Sequence, residues 1–284
     1  SVEIIDGVYT VTGEWLIRLC NDVNFDDYES LNYFQNVLIN GGVIDALRDA
    51  GIEVTVGVLE KECQQLIRRF VTFNTQHRPF ITLKWAESAD GFIYPHRTGG
   101  HPYIFSSPLS AMLVHKRRAE HAAILVGRRT ALLDNPSLTT RSWYGKNPVR
   151  MVIDKDLTLP RHLSLFDGST PTIVFTAQEE TPVLPQVEYI ALDFSRDILP
   201  QIMEVLYQRK LQSLMVEGGS ILLQSFIDAG CWDEAYIEQS DKHLLNGVKA
   251  PVLPRKYDSL TFRSFGKEIR YAAKTASEQE KMSE

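Results

Sequence analysis

Two adjacent glycines, Gly218 and Gly219, separate a run that reads as a strand from one that reads as a helix. Leu211 to Glu217 (LQSLMVE) is apolar in its second half and ends on a carboxylate. After Ser220, the run ILLQSFIDAG carries apolar residues at helical spacing and reaches Gly230, where a helix would stop. A strand that feeds a glycine turn and then a helix N-terminus is suited to holding an anion. Glycine lets the backbone approach a phosphate, and the N–H groups of the first helical turn point at it. The same residues also suit an ordinary tight βα turn.

A second unit of this kind favours the anion site. In AILVGRRTALLDNPSLTTR, the strand Ala123 to Val126 ends at Gly127, and Thr130, Asp134 and Asn135 follow. In open α/β sheets, ligands sit beyond the carboxyl ends of the parallel strands, so Gly127 and Gly218 are expected to flank one crevice. Asp134-Asn135-Pro136-Ser137 is also a good turn sequence, and the residues alone leave both possibilities standing.

Strands and helices alternate after Arg78-Pro79, which reads as a domain joint. Strands are expected at Phe80 to Ala86, Val149 to Ile153, Thr172 to Phe175, Val187 to Leu192 and Ala235 to Glu238, with two more between Leu260 and Ala273. Helices are expected at Pro108 to His121, with Ser107 as N-cap, and at Ile198 to Arg209. The expected fold is α/β, a mostly parallel central sheet with helices on both faces. It occupies residues 78–284, behind an N-terminal segment of 1–77. In that segment Val8 to Val11 reads as a strand and Trp15 to Leu19 as a short helix. Asn21 to Asn36 has no clear period. Val43 to Ala50 reads as a helix closed by Gly51, Ile52 to Val56 as a strand, and Leu59 to Phe73 as a helix with a stripe of Leu66, Phe70 and Phe73.

Composition excludes some functions. With 284 residues, 44% of them hydrophobic and 23% charged, the chain is ordinary globular material. No apolar run approaches the ~20 residues of a membrane helix. Three dispersed cysteines and a start without a basic n-region point to reduced thiols in the cytoplasm. A net charge of −6 argues against nucleic-acid binding but not against a small anionic ligand.

Lys84 lies in a strand among apolar and aromatic neighbours, where burial requires a partner; Glu217 and Asp90 are candidates. Arg117, Arg118 and Arg141 supply the positive charge a phosphorylated substrate needs, although a solvated helix face also explains Lys116-Arg117-Arg118. Asp154-Lys155 follows a strand. An acid there suits the ribose of NAD, and a base suits the 2′-phosphate of NADP. No Cys or His spacing suits zinc, so no metal site is expected.

At these residues the chain resembles the reductase domain of the bifunctional riboflavin biosynthesis protein RibD, which has a dihydrofolate-reductase-like fold. The similarity runs through RPFITLKWAESADG (Arg78 to Gly91), Ser106 to Arg141, Pro148 to Pro160, Met215 to Glu238 and Leu244 to Pro254. The stretch from Gly42 to Phe80 resembles the end of the family's deaminase domain, whose zinc residues this chain does not carry. The resemblance implies NADPH-dependent reduction of 5-amino-6-(5-phosphoribosylamino)uracil, with hydride delivered to the sugar C1′, in a cytoplasmic homodimer.

The resemblance assigns Ala86, Ile104, Gly127, Thr130, Asp134, Lys155, Gly218, Gly219, Ser220 and Ile221 to the cofactor. Arg118, Leu138, Arg141 and Glu217 are assigned to the substrate, the arginines on its phosphate. Lys84, Asp134 and Glu217 are the expected catalytic group, orienting the opened sugar and handling protons. The family usually has Ser-x-Trp where this chain has Pro102-Tyr103-Ile104, and the Trp position touches the cofactor; Tyr94-Pro95 is close by in sequence. Two alternatives remain: a reductase scaffold that binds a nucleotide without turnover, and a reductase acting on a pterin-like substrate.

Overall fold

The computed structural model describes residues 2–5, 8–11, 14, 42–54, 59–96, 103–254, 257–264 and 267–273. The chain divides into two compact units, Ser1–Asn74 and Thr75–Glu284.

In the first unit, β1 (Val2–Ile5) pairs antiparallel with β2 (Val8–Val11), Val2 opposite Val11. The β2 strand was expected and β1 was not. Helix α1 (Val43–Asp49) ends as expected at Gly51, whose φ of +79° suits glycine. The Ile52 amide donates to Leu47 O at 3.0 Å. That bond closes α1, and the strand expected from Ile52 does not form over 52–54. Thr55 and Val56, the expected helix at Trp15 to Leu19 and the stretch Asn21 to Asn36 lie outside the described residues. Helix α2 (Glu60–Thr75) forms, but the expected stripe is not one buried face: Leu66 is 85% exposed and Phe73 is buried.

The second unit is built on a nine-stranded sheet. Its strands are β3 (Phe80–Glu87), β5 (Ala123–Gly127), β6 (Val149–Ile153), β7 (Thr172–Thr176), β8 (Val187–Ala191), β9 (Ser213–Glu217), β10 (Glu234–Gln239), β12 (Asp258–Ser264) and β13 (Lys267–Ala273). The order is β12-β13-β10-β3-β9-β5-β6-β7-β8. All pairings from β10 to β8 are parallel, and the β12–β13 hairpin adds antiparallel to β10. Two short strands, β4 (Phe92–Tyr94) and β11 (Val248–Lys249), pair antiparallel as a separate sheet.

Alternation along the strands sends side chains to two compartments. Leu83, Leu125, Met151, Phe175 and Val216 pack with α5 (Ile198–Gln208) and α6 (Ser220–Asp228). Ile124, Val126, Val152, Val174 and Met215 pack on the other face with Ala131 of α4 (Arg128–Asp134) and Val114 of α3 (Pro108–Ala119). Helices therefore cover both faces, as expected. Helix α4 was not foreseen. Its C-cap Asn135 sits at φ +40°, and a helix ending in a left-handed Asn gives the same sequence signal as an isolated turn.

Near β3 the second face is polar. Thr82, Glu234 and Glu238 are buried there, and Lys84 and Glu217 share the face as register partners. This is where the candidate site lies.

Candidate active site

Strands β5 and β9 are parallel neighbours; β5 ends in the glycine that caps the following helix, and β9 is followed, after Gly218, by another. Gly127 and Gly219 are the N-caps, with extended backbone and no side-chain cap hydrogen bond. The first-turn amides of α4 and α6 therefore need another partner. The two turns touch: a Cβ on Gly218 would stand 3.5 Å from the Gly127 nitrogen and 3.6 Å from Thr130 Oγ1. The expectation that both glycine units border one crevice holds.

They open onto a cleft of about 250 Å³. Of the residues anticipated from sequence, Lys84, Ala86, Ile104, Thr130, Asp134, Leu138, Glu217 and Gly218 line it. Gly127 and Gly219 border those lining residues through the turn, and Ser220 and Ile221 begin α6 beside them. Arg118, Arg141 and Lys155 are not among the lining residues. Leu138 is buried at φ +53°, a left-handed conformation that costs a non-glycine residue about 1–3 kcal/mol.

Arg118 lies beneath the cleft, 9% exposed. Its Nε donates to Glu217 Oε1 at 3.2 Å, Nη2 to Oε2 at 2.7 Å, and Nη1 to the Thr139 carbonyl at 3.3 Å. One turn earlier on α3, His115 Nδ1 donates to the same carbonyl at 2.8 Å. Burial, followed by the Arg118 charge, lowers the His115 pKa. The pair thus anchors the segment that carries Leu138 and Arg141. From sequence His115 reads as an isolated histidine, although its i, i+3 spacing from Arg118 was a usable signal. Arg141 is exposed and donates to Ser137 Oγ at 2.9 Å.

Lys84 and Glu217 face each other across β3 and β9. Burial lowers the Lys84 pKa, against the opposing pull of Glu217 and Glu238. For Glu217, burial acts to raise the pKa, but Arg118 and then Lys84 outweigh it and hold the carboxyl below the usual range. Glu238, another residue the sequence reading did not single out, accepts from Ser106 Oγ at 2.6 Å and Ser110 Oγ at 3.0 Å. It ties the start of α3 to β10. Asp90, the other candidate partner for Lys84, instead accepts the amides of Leu244 and Leu245 at 3.0 and 2.7 Å. The Ser88 hydroxyl, with those two amides, pushes its pKa down to about 2.

Asp154 is buried and accepts from Leu159 N at 2.8 Å and Thr158 Oγ1 at 3.2 Å, with Arg128 Nε 3.6 Å away. Each of its carboxylate oxygens thus has an internal partner. Lys155 is exposed, its ammonium 5.7 Å from the Phe194 ring.

Residues 79–240 match the RibD C-terminal domain. The chain belongs to the RibD C-terminal domain family. Residues 2–58 match a separate domain of unknown function, DUF1967. Similar proteins include the riboflavin biosynthesis protein RibD of Aquifex aeolicus, 36% identical over 75% of this chain and 60% of that protein. RibD of Bacillus amyloliquefaciens is 34% identical over 77% of this chain and 60% of its own length. The chain thus spans about 60% of the length of these relatives. Among solved structures, a diaminohydroxyphosphoribosylaminopyrimidine deaminase/5-amino-6-(5-phosphoribosylamino)uracil reductase from Thermotoga maritima aligns with a TM-score of 0.72 and 32% identity, over 82% of this chain and 67% of that one. The Saccharomyces riboflavin biosynthesis reductase Rib7 shares the fold at 21% identity and a TM-score of 0.56, over 75% of this chain and 99% of that one. No helix among the described residues is long and apolar enough to cross a membrane.

Proposed function

We propose that this chain reduces 5-amino-6-(5-phosphoribosylamino)uracil to 5-amino-6-(5-phosphoribitylamino)uracil with NADPH. The observation that carries the reading is the contact between the Gly127 and Gly218 turns, 3.5 Å apart at the site of a Gly218 Cβ, on a cleft that also holds Lys84, Asp134 and Glu217. Two adjoining helix N-termini without side-chain caps fit a diphosphate, because their amides supply donors and their dipoles favour negative charge.

NADPH, when bound, supplies the hydride. Ala86, Ile104, Gly127, Thr130, Asp134 and Gly218 to Ile221 hold it in this reading. NADPH is favoured over NADH by the commitment of Asp154 to internal partners and by the exposed Lys155 at the same strand end. The reduction needs one proton beside the hydride, and Lys84 is the proton donor on the cleft floor. Glu217, kept ionised by Arg118, orients the sugar hydroxyls and holds Lys84 in place. Asp134, the last residue of α4, lines the same cleft. Arg141 meets the substrate phosphate, and Leu138 packs on the substrate. The resemblance also puts Arg118 on the phosphate; in this reading it acts through Glu217, its bidentate partner.

The division we propose is a reductase domain of 78–284 behind an N-terminal segment of 1–77. The resemblance of Gly42 to Phe80 to the end of a deaminase domain overlaps the DUF1967 match, which extends to residue 58. The family resemblance also supports a cytoplasmic homodimer, which light scattering on the purified chain tests for assembly.

The deciding assay follows NADPH absorbance with freshly deaminated substrate. Consumption is expected in the parent and is expected to disappear in Glu217→Gln and Asp134→Ala with the fold retained. Consumption that persists in both variants, or none in the parent, sinks the reading. Ile104, 67% exposed where the family has Trp, favours the second reading, binding without turnover. NADPH binding with no consumption would establish that instead.

A further inference from the structure

Tyr94 is the last residue of β4, a three-residue strand with little pattern of its own. Its position is nevertheless fixed from several directions. Val248 of β11 is its register partner. Gly247 approaches so closely that a Cβ there would lie 2.4 Å from the Tyr94 carbonyl oxygen and 3.2 Å from Pro95 Cα, so only glycine fits. The Ala250 amide donates to Gly91 O at 2.8 Å, and Ala89 N donates to Lys242 O at 2.8 Å. With the Asp90 bonds to Leu244 and Leu245, the segment before β11 is clamped onto the turn before β4.

The ring of Tyr94 packs against the core cluster under α5 and α6, and the residue lines the cleft. Its hydroxyl stands 3.8 Å from where a Gly219 Cβ would be, and Thr130 Oγ1 stands 3.6 Å from the same point. Two hydroxyls, one from β4 and one from the first turn of α4, therefore converge at the uncapped N-terminus of α6. A phenol donates one hydrogen bond and keeps its geometry through a rigid ring. At this point its natural acceptor is an anionic oxygen already drawn there by the helix amides.

We propose that Tyr94 is a cofactor-binding residue, its hydroxyl joining that of Thr130 as a donor to the diphosphate seated at Gly218-Gly219. The inference rests on the NADPH reading above and adds a contact that neither the motifs nor the family resemblance assigned. It also gives the small β4–β11 sheet a purpose: Gly247 and Asp90 position Tyr94 and through it one wall of the anion site.

The test is calorimetric titration of NADPH into the parent, Tyr94→Phe and Thr130→Val, without pyrimidine substrate, alongside thermal melts. Tyr94→Phe keeps the ring and removes only the donor. Losing one hydrogen bond to a charged group is expected to weaken NADPH binding about tenfold or more, with the melting temperature unchanged. Thr130→Val reports on the same point from the opposite side, and its loss is expected to be of similar size. Parent-like affinity in Tyr94→Phe overturns the Tyr94 assignment and leaves the reductase reading intact. A parent that binds no NADPH overturns both.

Discussion

Arg118 and Glu217 share a two-point hydrogen bond, Nε to Oε1 at 3.2 Å and Nη2 to Oε2 at 2.7 Å, between a helix and a strand 99 residues apart in sequence. The pair places a fixed negative charge beside Lys84 and fixes α3 to the end of β9. Both side chains are largely buried, 11% and 14% exposed. Removing one partner strands the other charge away from water. Arg118→Ala is expected to destabilise the fold by about 3 kcal/mol, read from urea unfolding.

The pH dependence of stability follows from the same cluster. The Glu217 carboxyl titrates below its ordinary range because Arg118 and Lys84 outweigh its burial. A depressed carboxyl stabilises the fold above its unfolded value, about 4.3, and that stability is lost as pH falls through the lower folded value. Lys84, depressed by burial, behaves differently: stability rises as pH climbs from its folded value toward the ordinary lysine value. Urea midpoints across pH are expected to show a loss on the acid side that Glu217→Gln reduces. An acid limb identical in parent and variant would assign the loss elsewhere.

Lys84 also predicts a rate profile. If its ammonium donates the proton, kcat/KM falls on the alkaline side at a pH below the ordinary lysine value, because burial favours the neutral amine. Lys84→Arg is expected to abolish that limb along with most activity, since a guanidinium does not release its proton in this range. A profile whose alkaline limb is the same in Lys84→Arg counts against the role.

Two glycines are expected to respond differently to alanine. A Cβ at Gly218 meets its neighbours at 3.5 to 3.6 Å, ordinary contact distance, so Gly218→Ala folds but intrudes on the cleft and weakens NADPH binding. A Cβ at Gly247 would lie 2.4 Å from a backbone oxygen, and the strands must part. Gly247→Ala is expected to destabilise by about 1–3 kcal/mol, with melting temperature as the readout.

Surface and interior ion pairs provide a further contrast. Arg78 makes two 2.7 Å bonds to Asp233, which also accepts the Ile81 amide at 2.7 Å, all within the core edge of β3. Asp233→Ala leaves a buried guanidinium and an unmet amide, and about 3–5 kcal/mol of lost stability is expected. Arg209 pairs with Glu188 on the surface, where both are more than a third exposed. Arg209→Ala is expected to change stability by less than about 1 kcal/mol in the same unfolding measurement.

Much of this architecture was legible from local pattern. The β9 and β5 runs are largely apolar and lead into glycines, and such runs announce both the strand and the turn. Ser107 and Pro108 marked the start of α3 because capping chemistry is local. Helix α4 was less legible, since seven residues ending in Asn135 resemble a turn. Strands β4 and β11 were also missed, because three and two residues cannot show a period. At the site, Lys84 and Glu217 stood out as charges in apolar strands. The roles of Arg118 and His115 depend on partners 99 and 24 residues away, and no motif encodes those. Asp154-Lys155 gave a mixed signal in the sequence, and the fold turns Asp154 onto Leu159 N, five residues on.

The division of side chains between the sheet's two surfaces has a consequence for how such a protein changes over time. Oily residues under α5 and α6 hold the scaffold, and the charged ones beneath α3 carry the proposed chemistry. Exchanges such as Trp for Ile104 can therefore accumulate around the reactive side without melting the layer behind it, leaving substrate preference free to drift on an unchanged frame.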